Sequence, residues 1–244
     1  MAEQRIGYFL YNTFLALAAL ILWPLIVFRI LTKFPTGWTV LKEKTGVITK
    51  PVIWIHAATE GQIATLANIY QELTRVFTRY QLVVTCTGNK AATFGRSLAP
   101  ELMLIVFPYS VEYCSKKIIS YLKPQLLLLI DDCFYPNLLR HCKTAGSKSA
   151  LIGGRVNKRL SFTFRLAPNF LKSILKRIDL LMMTSVTEAN QVGKLGAALS
   201  TIVVSNAVGE QEDRWKGGAE LNDNDSLKKA VGAIGTLLGG TFET

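Results

Sequence analysis

The chain has 244 residues, half of them hydrophobic, and 28 Lys and Arg against 17 Asp and Glu give a net charge of +11. That much apolar material excludes wholesale disorder and suffices for a substantial core in one or two domains. The positive balance points to a polyanionic partner or an anionic membrane surface, while Cys86, Cys114, Cys133 and Cys142 lack the CxxC spacing and density of a disulfide scaffold and fit a reduced compartment.

The first predicted element is apolar. Ile6 to Phe28 is a 23-residue stretch without a charged side chain, long enough to cross a hydrocarbon core of about 30 Å. It is expected to form a spanning or re-entrant membrane helix within an anchor over 1–33, with Pro24 kinking its end. Arg29, Lys33, Lys42, Lys44 and Lys50 follow it and only Arg5 precedes it, so the positive-inside rule places the rest of the chain on the cytoplasmic side. Residues 34–50 read as a basic linker.

From Pro51 the pattern alternates. PVIWIHAA, QLVVTCTG, LMLIVFPY, PQLLLLIDD, SALIGG, DLLMMTS and STIVVSN read as strands. Between them, helical spacing runs over Ile63–Phe77, Lys90–Ser97, Ser110–Leu122, Asn137–Lys143, Phe162–Arg177 with an interruption at Pro168, and Glu188–Leu195. Nearly continuous apolar strands separated by helices predict an α/β fold with an open parallel sheet covered on both faces, over 51–206. Residues 207–244, rich in Gly and acidic groups, read as a divergent or frayed tail with one weak helix, Ser226–Leu238.

In such a sheet, ligands gather beyond the carboxyl ends of the strands. TEGQ, TCTGNK, PYSVE, DDCFYPN and GGRVNKR therefore fall on one rim. Gly61 permits a tight turn before a helix whose free N–H groups can receive an anion. Glu60 reads either as a general base or as a carboxylate favouring the helix dipole. Asp131 reads either as a group orienting a sugar hydroxyl or a basic partner, or as a helix cap. His56 reads as a packed or hydrogen-bonded structural histidine, and two distant histidines give no metal spacing. TCTGNK lacks the spacing of a nucleotide-hydrolysing phosphate loop, leaving Thr85, Thr87 and Asn89 as rim donors.

Between Arg140 and Arg177 there are ten Lys or Arg side chains and no Asp or Glu. Arg155, Lys158 and Arg159 follow directly from a strand and can converge on phosphate. A phosphorylated lipid explains this charge better than a nucleic acid, since no nucleic-acid motif accompanies it. The competing reading is a solvated basic face.

In this order, KEKTG at 42–46, WIHAATEGQ at 54–62, VVTCTGNKAATFG at 83–95, VFPYS at 106–110, KPQLLLLIDDCFYPN at 123–137 and GGRVNKR at 153–159 resemble the N-terminal half of the bacterial 3-deoxy-D-manno-octulosonic acid (Kdo) transferase family, nearest in flavour to its chlamydial branch. The resemblance implies the N-terminal, acceptor-holding domain of a two-domain fold of the glycosyltransferase B type. It further implies transfer of Kdo from the donor substrate CMP-Kdo to lipid IVA at the bacterial inner membrane, on its cytoplasmic face, without a metal or other cofactor.

Carried onto this chain, the resemblance puts Gln62 where a catalytic Glu is expected, with Glu60 as a substitute. Acceptor binding is expected from Gly61, Asp131, Arg155, Lys158 and Arg159. Asp131, Pro136 and Asn137 keep an acidic WPN-type pattern in which Cys133 replaces a second carboxylate, and Arg155 persists where a leading Asn is lost. A neutral amide cannot take up a proton as a carboxylate does, and the donor-binding half is expected from a separately encoded partner. The alternative is a catalytically inactive binder of phosphorylated glycolipid or a gene remnant.

Overall fold

A computed structural model describes residues 2–21, 38–106, 112–131, 134–156, 166–204 and 224–239. Seven strands, β1 Val52–His56, β2 Gln81–Cys86, β3 Leu104–Val106, β4 Leu126–Ile130, β5 Lys148–Gly154, β6 Leu180–Met183 and β7 Ile202–Val204, join in one sheet. Every pairing is parallel, in the order β3-β2-β1-β4-β5-β6-β7. The described helices are α1 Ala2–Ile21, α2 over 38–45, α3 Glu60–Val76, α4 Asn89–Leu98, α5 Glu112–Leu122, α6 Pro136–Thr144, α7 Pro168–Leu175, α8 Val186–Lys194 and α9 Asn224–Leu237.

The parallel pairing follows from strand composition. VIWIH and LLLLI are buried at every position, as required of strands covered on both faces. Alternate residues then feed two cores. Trp54, Leu127, Leu129, Leu151 and Leu181 pack under α5 to α8, whereas Ile53, Ile55, Leu128, Ile152 and Met182 pack under α3 and α4. Helix α9 joins the second core through Ala230, Val231 and Ile234.

Two local features differ from the simplest reading of the sequence. Pro168 starts α7 at its first turn, where the missing N–H has no helical partner to lose. Leu41 of α2 is fully buried in the first core, and the Thr45 hydroxyl contacts Tyr121 at 3.0 Å.

The expected membrane helix requires correction, and with it the expected inner-membrane location. Among the described residues no helix is long and apolar enough to cross a membrane. Helix α1 instead lays one face on the protein. Tyr8 is 7% exposed, its ring meets Phe170 edge-on at 5.4 Å, and the guanidinium groups of Arg140 and Arg177 lie 4.9 and 5.1 Å from that ring. Gly7 allows the approach, since a Cβ there would sit 2.9 Å from Phe170 Cδ2. Asn137 Nδ2 donates to Asn12 Oδ1 at 3.3 Å. Gly7 and Asn12, a small and a polar residue within the charge-free run, thus belong to its docking face, while Phe9, Leu10, Phe14 and Leu17 stay exposed. The part of the expected anchor over 22–33 lies outside the described residues.

Candidate functional site

The strand order reverses direction between β1 and β4, which lie side by side although β2 and β3 intervene in the chain. Such a switch point opens a crevice at the carboxyl ends of the two strands, because their following connections depart to opposite sides. The stretch after β1 is Ala57–Gln62 and the stretch after β4 is Asp131–Asn137, so the fold brings the two most informative sequence motifs to one place.

On the β1 side, Thr59 is the N-cap of α3. Gln62 Oε1 accepts from the N–H groups of Ala58 at 2.6 Å and Thr59 at 3.2 Å, and Gln62 N–H donates to Thr59 Oγ1 at 3.4 Å. This is a capping box, which pairs the orphan N–H groups at a helix start with side-chain oxygens. Gln62 is 3% exposed. Its oxygen is committed to backbone, and an amide offers no proton-accepting charge. The TxxQ spacing was the available sequence signal for this box.

Glu60 is exposed in the first turn of α3. A Cβ at Gly61 would meet nothing within 4 Å, so the space above the α3 N-terminus is open. Gly61 lies within α3 and has no left-handed φ; the turn itself does not demand glycine.

Behind this turn lies a buried network. Trp54 Nε1 donates to Thr85 Oγ1 at 2.8 Å, and His56 Nδ1 lies 2.9 Å from the Thr85 carbonyl and 3.1 Å from its hydroxyl. Since a carbonyl only accepts, Nδ1 carries a proton. Complete burial pushes the His56 pKa down to about 3, against a raising contribution from the Thr85 backbone bond. Tyr135 stacks edge-on at 5.3 Å. His56 therefore orders the two strand ends, as a structural histidine would, and Thr85 is buried with it rather than displayed on the rim.

On the β4 side, Asp131 adopts a left-handed φ of 62° and its Oδ1 stands 3.9 Å from Arg155 Nε at the end of β5. Tyr135 and Pro136 start α6, with Pro136 in the first turn and no side-chain cap; Asp131 is not the cap of that helix. Arg155 and Asp131 are thus brought together, while Glu60, Gly61 and Gln62 stand across the β1–β4 crevice. Lys158, Arg159, Asp132 and Cys133 lie outside the described residues, as does most of PYSVE.

The basic stretch divides by task. Arg140 pairs with Glu112, Lys143 Nζ bonds Asp179 Oδ1 at 2.7 Å, and Arg177 bonds the Ser173 carbonyl. These charges hold α5, α6, α7 and α1 together. Arg155 is the described member of the stretch that reaches the rim. Among the described residues, no three His, Cys, Asp or Glu side chains gather in a metal-binding group.

Comparisons with known proteins agree with this geometry. A 3-deoxy-D-manno-octulosonic acid transferase of Chlamydia trachomatis serovar D is 23% identical over 238 residues, covering 89% of this chain and 54% of that protein. A bifunctional glycosyltransferase/methyltransferase of Fusobacterium nucleatum is 26% identical over 151 residues, covering 59% of this chain and 23% of the relative. The chain spans about half the length of the chlamydial relatives it matches. Among solved structures, the UDP-GlcNAc 2-epimerase from Neisseria meningitidis bound to UDP-GlcNAc matches with a TM-score of 0.51 at 12% identity, over 75% of this chain and 53% of that one; that match shows the fold alone. The sequence pattern of the 3-deoxy-D-manno-octulosonic-acid transferase (kdotransferase) family covers residues 37–208, and both motifs at the switch point fall inside it. This chain belongs to the Kdo-transferase family.

Proposed function

We propose that this chain is the acceptor-holding half of a Kdo transferase, binding the phosphorylated disaccharide lipid IVA for transfer of Kdo from CMP-Kdo. The observation that carries this reading is the meeting of WIHAATEGQ and IDDCFYPN at the β1–β4 switch point, where an α/β sheet accepts ligands. Arg155 supplies a guanidinium suited to phosphate, and nothing lies within 4 Å of a Cβ placed at Gly61. The exposed apolar face of α1, tied to the start of α6 by the Asn12–Asn137 bond, suits acyl chains. The described residues build one sheet, and the CMP-Kdo site is assigned to a second domain beyond it.

A second reading is favoured by one specific observation. Gln62 stands at the position of the expected base and its oxygen caps α3. Deprotonating an acceptor hydroxyl needs a basic group within about 3 Å, and among the described residues Glu60 is the exposed carboxylate next to Gln62 on this rim. Without its participation the chain binds phosphorylated glycolipid and does not turn it over.

Lipid IVA binding, followed by addition of CMP-Kdo and a donor domain, separates the readings. Product formation that is lost in Glu60→Gln supports transfer. Binding without product, gaining product in Gln62→Glu, supports the non-catalytic reading. Failure to bind lipid IVA contradicts both.

A further inference from the structure

Two neighbouring strands carry a left-handed residue at or just past their carboxyl ends. Asp131, directly after β4, has φ 62°, and Gly153, near the end of β5, has φ 69°. The register between β5 and β6 shifts between Ile152 and Gly154, which marks a bulge, a device that re-aims the side chains following it. The next residue is also tightly packed. A Cβ at Gly154 would sit 2.8 Å from Met183 Sδ and 2.9 Å from Leu151 Cδ2.

The consequence falls on Arg155. The bulge turns it toward β4, where its Nε stands 3.9 Å from Asp131 Oδ1. The Asp131 N–H is fixed in turn by the Ile152 carbonyl at 2.7 Å, and the N–H of Val156 is held by the Glu188 carboxylate. Both side chains of the pair are about one-third exposed, 32% for Arg155 and 28% for Asp131. Ion pairs at that exposure stabilise a fold weakly, and a left-handed non-glycine residue opposes folding. Stability therefore does not account for an arrangement that needs two left-handed residues and a bulge.

We propose that Asp131 is a positioning residue, which holds the Nε edge of Arg155 so that its terminal nitrogens form a receptor for a phosphate monoester. The proposal rests on the acceptor-binding reading above and deepens it: Asp131 acts on the ligand through Arg155 and does not itself hold a sugar hydroxyl. A guanidinium receives a tetrahedral oxyanion through two parallel N–H groups only when its plane is fixed. An aspartate 3.9 Å from Nε, too far for a hydrogen bond, draws that edge toward itself by charge and tightens to a hydrogen bond when the far edge takes a phosphate, at the cost of some local negative charge. Orientation and charge thus make opposite predictions for removal of the carboxylate.

The test measures binding of glucosamine 1-phosphate and of unphosphorylated glucosamine by calorimetry or ligand-observed NMR. The variants are Asp131→Asn, Asp131→Gly, Arg155→Lys and the double Asp131→Asn/Arg155→Lys. The wild-type chain prefers the phosphorylated sugar, and each single variant weakens that ligand about tenfold, near 1.4 kcal/mol. The double variant loses no more than Arg155→Lys alone, because both changes disable one device. Asp131→Gly keeps or raises the urea midpoint, since glycine adopts a left-handed φ freely; a lost affinity with retained stability separates positioning from a structural role. Unchanged or tighter binding by the Asp131 variants, with Arg155→Lys still weakened, overturns the positioning role and leaves the acceptor reading standing. A wild-type chain indifferent to the phosphate overturns both.

Discussion

At residue 62 a single side chain separates the helix-capping role from the catalytic one proposed for that position. A capping box accepts either Gln or Glu, since what it needs is a side-chain oxygen reaching back to backbone N–H groups. Base chemistry accepts Glu alone. The spacing that marks the position was legible in WIHAATEGQ, and so was the TxxQ cap, yet the commitment of the Gln62 oxygen to Ala58 and Thr59 depends on backbone geometry that spacing does not contain. His56 behaves similarly. Its structural character was readable from its strand, whereas the Trp54–Thr85–His56 network joins residues 31 and 29 positions apart in the chain. The buried neutral ring has a measurable consequence. Its pKa, about 3 when folded, lies below the ordinary value of about 6.5. Between those values the unfolded chain binds the proton and the folded chain does not, so stability falls as the pH drops below about 6.5 and is constant above it. Urea unfolding at pH 7 and pH 5 should show the wild type losing about 2 kcal/mol more than His56→Asn. His141, whose pKa is also lowered by burial, contributes in the same direction to both proteins and cancels in the comparison. Equal losses would remove His56 as the source.

At the scale of elements, the strands were the most legible parts, because a chain buried on both faces must be apolar throughout and short. All seven stand where their apolar runs put them. Helix α1 was the least legible. Its charge-free run satisfies the length of a membrane span, and what redirects it is a surface made by Phe170, Arg140 and Arg177, residues more than 120 positions away. No local window carries that information. Tyr8 is the centre of the contact, so Tyr8→Ala removes the buried ring and the partner of two guanidinium groups together. Backbone amides of α1 should then exchange about tenfold faster, with those of β1 and β4 unchanged, as expected for an element that opens by itself. Slow exchange of α1 in the variant would mean that the Asn12–Asn137 bond and the contact of the Tyr11 ring with Phe170 at 5.6 Å suffice to hold it.

For the whole molecule, the doubly wound order decides what the motifs mean. Read along the chain, WIHAATEGQ and IDDCFYPN are separated by 67 residues between Gln62 and Ile130. The sheet order makes their strands neighbours, and a parallel pair in register from Ile53–Leu126 to His56–Leu129 delivers both connections to the same edge. Sequence reasoning reached the rim from the general rule for such sheets, but the switch point itself required the order of the strands. The bulge that aims Arg155 was out of reach for the same reason: GG in a strand signals an irregularity without saying toward which neighbour the next side chain turns. The measurement that tests the central claim most directly is amide hydrogen exchange of the wild-type chain with and without lipid IVA. Binding at the switch point predicts protection concentrated in 57–62, 131–137 and 154–156, with the outer strands β3 and β7 unaffected. Protection confined to β3, β7 or α9, with those three segments unchanged, would contradict it.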